Sequence, residues 1–252
     1  MNYKSTVSKY ATPLSIIFLA LVIVTSLGVT GYFVNKKANF AIEKMDDAIE
    51  RYFDERAKNV KAAKEAVPLK EPTIAELEAG AELLGNPDAP VLITVFEDFQ
   101  CPWCQKVQSV LEQVREAYPT QVKIAFRHFP LKSIHRNAEN ASIAAICAGR
   151  QEKFWEYHDI LFEKQGDAAG WSKERDKEKS AELLKQFASD LGLDTASFNN
   201  CFGNKETSVE LERDISYGSS IGIRGTPTVF VNTEKSKVDF KVLKEAIDKV
   251  LE

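Results

Sequence analysis

Histidine is scarce, with three residues in a chain of 252. His128, His135 and His158 never stand at the i, i+4 spacing that lets one helix face hold a metal ion, which argues against a metal site. Methionine is scarcer, at two, and neither lies near the cysteine motif below, so a soft-ion carrier would lack its usual extra ligands. Excess positive charge is missing as well: 33 Lys and Arg against 37 Asp and Glu give a formal charge of −4. The two signs are mixed along the chain with no basic stripe, so nucleic acid is not an expected partner. Four cysteines are few for a small disulfide-stapled scaffold. No internal repeat or low-complexity tract stands out. What is present is 44% hydrophobic residues, enough to bury a sizeable core in one large domain or two modest ones.

Charge is absent altogether from residues 11–34. At about 1.5 Å per residue this run reaches about 36 Å, enough to cross a hydrocarbon core of about 30 Å with some tilt. Lys4 and Lys9 precede it, which leaves a cleaved signal peptide as the competing reading. The run is long for a signal peptide, however, and no clear Ala-x-Ala site follows before Lys36 and Lys37. The expectation is a short cytoplasmic tail over 1–10, a transmembrane anchor over 11–34 and an exported remainder on the extracytoplasmic, periplasmic side of the cell membrane. Residues 35–72 are charged and Ala-rich, with Ile42, Met45, Ile49 and Tyr52 at alternating three- and four-residue steps. That stripe breaks at Arg56 and Asn59. It reads as a helical stalk, either solvated or pairing two copies as a homodimer, and Pro68 and Pro72 mark its end.

Beyond the turn at Gly85 to Pro90, Val91 to Phe96 is a continuous apolar and β-branched run that predicts a buried strand. After Cys104, the residues Val107, Val110, Leu111, Val114 and Tyr118 recur at helical steps, which makes Pro102 a first-turn proline. Val122, Ile124 and Phe126 then alternate with Lys123, Ala125 and Arg127 as a second strand. Residues 136–219 read mainly as helices. Thr228 to Val231 reads as a further strand, and Phe240, Leu243, Ile247, Val250 and Leu251 line one face of a last helix. Strands interleaved with helices predict an α/β domain with a covered sheet.

The chemistry concentrates at Cys101-Pro102-Trp103-Cys104. Disulfide exchange needs a thiolate nucleophile and a second thiol close enough to resolve the mixed disulfide, and Cys-x-x-Cys at a helix start supplies both. Cys101 would meet the free N–H groups and the dipole of the helix N-terminus, which lower its pKa. Cys104, one turn in, would be more buried and act second. Asp98 is the better of two nearby acids to take the proton released by the resolving thiol, with Glu97 the other; solvated loop acids are the alternative. Trp103 and Phe99 would flank the dithiol with apolar surface for unfolded substrates. His128 reads as a satisfied structural histidine, His158 as helix surface or core, and Trp171 as packing within the helical region.

The run Val91 to Cys104, together with Phe126-Arg127-His128-Phe129-Pro130-Leu131 and Gly225-Thr226-Pro227-Thr228, resembles the DsbA-like branch of the thioredoxin superfamily, over roughly Gly85 to Glu252. The resemblance implies an α/β, thioredoxin-like fold over 73–252 with an inserted helical domain at about 136–219. It implies Cys101 as nucleophile, Cys104 as resolving cysteine, and Pro227 as the cis-proline of a loop set against the dithiol, with the Thr226 backbone pairing to a substrate chain. It further implies exchange with exported proteins, reoxidation by a quinone-linked membrane partner, and no cofactor. Two departures stand out: Pro102-Trp103 holds no histidine to stabilise a thiolate, and 231–239 lacks a glycine-rich turn before the last helix.

Cys147 and Cys201 read either as two buried free thiols or as a structural disulfide, which an oxidising compartment favours and some relatives share. Such a bond would contribute roughly 4 kcal/mol on the chain-entropy account. The function expected is that of a membrane-anchored oxidase donating its Cys101–Cys104 disulfide to exported proteins. A disulfide isomerase or reductase using the same dithiol, and a non-catalytic thiol-based metal or protein binding module, are the alternatives.

Overall fold

An unbroken run such as Val91 to Glu97 is stable as a strand only where both sheet faces are covered. In a computed structural model it forms β2 (Val91–Glu97), with every residue buried. The structure describes residues 69–252 except Ala169, together with Lys44, Arg51, Asp54 and Glu55. The chain divides into units 1–68 and 69–252. The tail 1–10, the span 11–34 and, but for those four positions, residues 35–68 of the stalk lie outside the described residues. Among the described residues no helix is long and apolar enough to cross a membrane.

Five strands form one sheet in the order β1-β3-β2-β4-β5, where β1 is Glu82–Gly85, β3 Val122–His128, β4 Thr228–Val231 and β5 Glu234–Ser236. Parallel β2 and β3 are joined by α2 (Pro102–Ala117), with Val91 opposite Val122 and Glu97 opposite His128. Antiparallel β4 lies on the other side of β2, with Phe96 opposite Thr228. This register brings the end of β2, where the dithiol begins, beside the start of β4, where Thr226-Pro227 leads in. Val91, Ile93 and Val95 pack against Val107, Leu111 and Val114 of α2 and Leu243 and Ile247 of α8 (Phe240–Leu251). The alternate residues Leu92 and Phe96 meet Leu77, Phe129, Ile221 and Phe230 on the opposite face.

Three short elements add to the expected set: β1, β5 and α1 (Ile74–Glu78), which a capping box between Thr73 and Glu76 initiates. The turn between β4 and β5 does without glycine because Asn232 takes the left-handed conformation at φ 52°. Its side chain accepts from the Leu92 N–H at 2.9 Å and its own N–H donates to the Leu92 carbonyl at 2.7 Å, which ties the hairpin to β2.

Between β3 and β4 lie α3 (Ala138–Gly149), α4 (Phe154–Glu163), α5 (Lys177–Asp190), α6 (Thr195–Phe202) and α7 (Lys205–Ser220). Asp176, Asp194 and Asn204 cap the last three by accepting backbone N–H groups. Alanines 141, 144, 145 and 148 keep α3 slim and buried among Tyr157, Leu161, Trp171, Leu184 and Phe198. Cys147 of α3 and Cys201 of α6 are bonded, with Sγ–Sγ 2.02 Å. This helical core runs without a break into Phe99, Cys101 and Cys104.

Candidate active site

Cys101 is the N-cap residue of α2 and Pro102 its first helical residue, where a missing N–H goes unnoticed. Both cysteines are free and buried, Cys101 at 3% exposure and Cys104 at 0%, yet their surroundings drive them apart. The Cys101 thiol is lowered from 9.0 to about 5, chiefly by a hydrogen bond from the Cys104 thiol and further by the Cys104 N–H, Thr226 and the Trp103 N–H, against the opposing effect of burial. Burial pushes the Cys104 thiol far above its usual range, and the hydrogen bond to Cys101 and the charge of Glu97 push the same way. The pair therefore holds one thiolate and one neutral thiol at neutral pH.

The Thr226–Pro227 peptide is cis, and the Thr226 carbonyl oxygen lies 3.5 Å from Cys101 Sγ. Trp103 is 64% exposed with Lys106 Nζ 4.3 Å from its ring centroid. Trp103, Val107, Val110, Pro227 and Val238 line a shallow, largely apolar groove of about 350 Å³ beside the nucleophile.

Neither of the two acids is a solvated loop residue. Asp98 is fully buried, and its carboxylate is fully engaged: Oδ1 accepts from the Gln100 N–H at 2.7 Å, while Oδ2 accepts from the Leu131 N–H at 2.7 Å and meets His135 Nδ1 at 2.7 Å. Asp98 thus ties the dithiol loop to the segment after β3. Glu97, at 1% exposure, ends β2 on the face covered by α2. Gln108 Nε2 donates to both of its oxygens, at 3.1 and 3.0 Å, and His158 Nε2 stands 3.9 Å from Oε2, too far for a hydrogen bond. Burial raises the pKa of Glu97 while His158 and Gln108 oppose the rise.

His158 is buried in α4, and its Nδ1 lies 2.9 Å from Asp159 Oδ1. Burial works against its charge, but Asp159 and Glu97 outweigh it and raise its pKa. His128 behaves in the opposite way. Neither ring nitrogen has a hydrogen-bond partner, so it is not the satisfied histidine expected; packed against Phe99, Phe126 and Phe154, it is held neutral by burial, its pKa lowered to about 3.

The helical insert also grips the loop that carries the nucleophile. Gln165 Nε2 donates to the carbonyls of Phe99 at 2.6 Å and Cys101 at 3.0 Å. Gln100 Nε2 donates to the Ser172 carbonyl at 2.5 Å, and Gln100 Oε1 accepts from the Asn137 N–H at 2.8 Å. Sequence reasoning missed Gln108, His158 and Gln165 because tertiary packing alone brings them to the motif. Among the described residues no three His, Cys, Asp or Glu side chains converge as a metal-ligand set.

Residues 78–249 match the family described as Thioredoxin. A probable disulfide bond formation protein D of Bacillus anthracis is 30% identical over 174 residues, covering 67% of this chain and 77% of that protein. Na(+)/H(+) antiporter NhaA 1 of Salinispora arenicola is 30% identical over 158 residues, 63% of this chain but 22% of the antiporter, so the chain spans under a quarter of that relative's length. Of solved structures, oxidised BdbD from Bacillus subtilis superposes with a TM-score of 0.61 at 25% identity, covering 73% of this chain and 98% of that one. Wolbachia pipientis alpha-DsbA1 shares the fold with a TM-score of 0.55 at 24% identity, over 74% and 94% of the two chains. A family match across the whole sheet and dithiol, with a relative of this identity and coverage, places the chain in the thioredoxin family, among its DsbA-like thiol-disulfide oxidoreductases.

Proposed function

We propose that the chain is an extracytoplasmic disulfide oxidase that donates its Cys101–Cys104 disulfide to thiols of exported proteins. The observation that carries this reading is the seat of Cys101 at the N-cap of α2, with the Cys104 thiol and the Cys104 and Trp103 N–H groups turned toward its sulfur, which holds its thiol well below the ordinary cysteine range, at about 5. A stabilised thiolate stabilises the reduced dithiol, and a disulfide whose reduced form is stable gives up its bond readily. A substrate thiolate attacks Cys101 Sγ and breaks the bond to Cys104, which takes up a proton. A second substrate thiolate then attacks the substrate sulfur of the mixed disulfide and expels Cys101, a good leaving group because its thiolate is stable. Pro227 and the Thr226 backbone dock the substrate chain, and the groove at Trp103 takes its apolar side chains.

In this reading the segment 11–34 holds the protein in the cell membrane, the tail 1–10 stays in the cytoplasm, and the stalk 35–72 carries the domain over 73–252 on the far side, near a quinone-linked membrane partner that restores the disulfide. The name of the Bacillus anthracis relative, a disulfide bond formation protein, supports the direction. Equilibration against glutathione buffers tests it. A reduction potential well above about −270 mV, the value of thioredoxin, is expected. A value near or below it overturns the donor direction in favour of an isomerase or reductase.

A further inference from the structure

We propose that Lys106 makes this oxidoreductase selective for cysteines flanked by acidic side chains: a docking segment lays an apolar side chain in the groove beside Cys101 and a carboxylate on the Lys106 ammonium. This rests on the exchange chemistry proposed above and names the class of exported segment that enters it.

Three observations carry it. Trp103, Lys106, Val107 and Val110 stand at i, i+3, i+4 and i+7, so one face of α2 runs from the dithiol along the groove that Pro227 and Val238 complete. Among the described residues that line this groove, Lys106 alone is charged; its exposed ammonium meets only the Trp103 ring, at 4.3 Å, and no described carboxylate. Two residues before Thr226, exposed Arg224 directs one guanidinium nitrogen to the Ser219 and Ile223 carbonyls and likewise meets no described carboxylate.

No acid nearby is placed to take these charges. The first turn of α2 has none, and the first acid of that helix, Glu112, is paired with Arg115. Glu97 and Asp98 are buried, and Asp239, beside Val238, accepts the Val242 N–H as the cap of α8. A chain of net charge −4 thus presents two unpaired cations beside its nucleophile.

Shielding of Trp103 is the other role open to Lys106, but an exposed cation–π contact contributes little and accounts for neither the missing acid nor Arg224. A docked segment covers Trp103 and strips water from the ammonium above it, and a charge without a partner is costly to desolvate. A substrate carboxylate removes that penalty, whereas a substrate lysine or arginine adds repulsion, so the site discriminates by rejecting cations as well as by holding anions. Lys106 acts on the substrate, since the groups that chiefly hold the Cys101 thiol down are Cys104, Thr226 and Trp103.

The test uses the full chain and two peptides of one sequence, each with a single cysteine, a leucine next to it, and either glutamate or lysine on the cysteine's other side. Each is offered as a thiol to the oxidised chain and as a mixed disulfide with mercaptoethanol to the reduced chain. Dividing each rate by that of the same peptide with a small neutral disulfide or thiol removes the effect of the flanking charge on the peptide sulfur itself. At about 0.02 M salt the glutamate peptide should react about fivefold faster than the lysine peptide, the scale of an exposed ion pair set against a like-charge contact, and the ratio should fall as salt rises to about 0.5 M. Lys106→Met, which keeps an apolar stem over Trp103, should bring the ratio below about twofold, and Lys106→Glu should invert it. A change of groove shape alone would move both peptides together. Lys106→Gln serves if Lys106→Met does not fold, and Arg224→Met should lower the ratio by less. A wild-type ratio below about threefold in both directions, or one that stays above about twofold in folded Lys106→Met, overturns the proposal. Failure of the donor reading is seen separately: the oxidised chain then leaves both peptides reduced, while the preference persists against the reduced chain.

Discussion

Acid should weaken the reduced protein much more than the oxidised one. The Cys101 thiol sits at about 5 in the fold, whereas a cysteine in an unfolded chain titrates near 8.5. Between about pH 5 and about pH 8.5 the unfolded reduced chain holds a proton that the native protein has released, so native stability rises with pH across that window at about 1.4 kcal/mol per pH unit. The contribution is complete above about pH 8.5, amounts to about 3 kcal/mol at neutral pH and vanishes below about pH 5. Cys104, whose thiol burial raises, acts with the opposite sign only above about pH 8.5 and leaves this window to Cys101. In the oxidised protein neither thiol titrates, while nearly every other group is shared, so the difference between the two forms isolates the dithiol. Thermal unfolding of both forms from about pH 4 to about pH 7 should show the reduced form gaining roughly 6–12 °C on the oxidised one, at about 2–4 °C per kcal/mol for a domain of this size. The same stabilisation makes the disulfide more oxidising at neutral pH by about 60 mV than one between ordinary thiols. A difference that stays flat with pH, or a thiolate absorbance that titrates above about pH 7, would refute the reasoning.

Replacing both Cys147 and Cys201 by serine opens a loop with a sequence separation of 54 and should lower stability by about 4 kcal/mol on the chain-entropy account, read as a fall in the urea midpoint; a loss below about 1 kcal/mol would contradict it. Arg127→Met removes the guanidinium 2.9 Å from the buried Asp214 carboxylate and the donor to the Ala79 carbonyl, which should cost about 3–5 kcal/mol at neutral pH. Burial already raises Asp214 to about 6 against the pull of Arg127, so the loss should shrink in acid, where the carboxyl is neutral; a loss independent of pH would show that the charge is not its cause.

Legibility followed contiguity. The order β2, dithiol, α2, β3 could be read because the hydrophobic period changes from 2 to 3.6 and back within one stretch, and because Cys101-Pro102-Trp103-Cys104 carries its own chemistry. The short elements could not. Glu82 to Gly85 is a strand only because Phe126 and its neighbours in β3 stand opposite, and Glu234 to Ser236 has no apolar face at all. For α1, a signal was present and unread: Thr73 with Glu76 three residues later is a capping box. Glu97 is the instructive case. Val91, Ile93 and Val95 alternate onto the face that α2 covers, and one further step of that period sends Glu97 into the same core and its neighbour Asp98 elsewhere. Treating both acids as loop residues hid this, whereas the alternation of the strand separates them.

The helical insert belongs to the catalytic unit. A nucleophile at a helix N-cap depends on the backbone that leads into it, and here that backbone is held from outside its own sheet: Gln165 takes the carbonyls of Phe99 and Cys101, and Ser172 and Asn137 take the side chain of Gln100. Buried carbonyls of this kind need partners somewhere: that of Cys101 also accepts from the Cys104 and Gln105 N–H groups of α2, and Gln165 joins it to that of Phe99. The insert also supplies His158, the group that faces Glu97, and its core is continuous with both cysteines. The start of α2 thus favours Cys101 as the thiolate, while the core of the insert shares in burying Cys104 and keeps its thiol neutral. Through Gln165, Ser172 and Asn137 the insert also fixes how rigidly Cys101 is presented. The two sulfurs of one four-residue motif owe their different roles to two different parts of the chain.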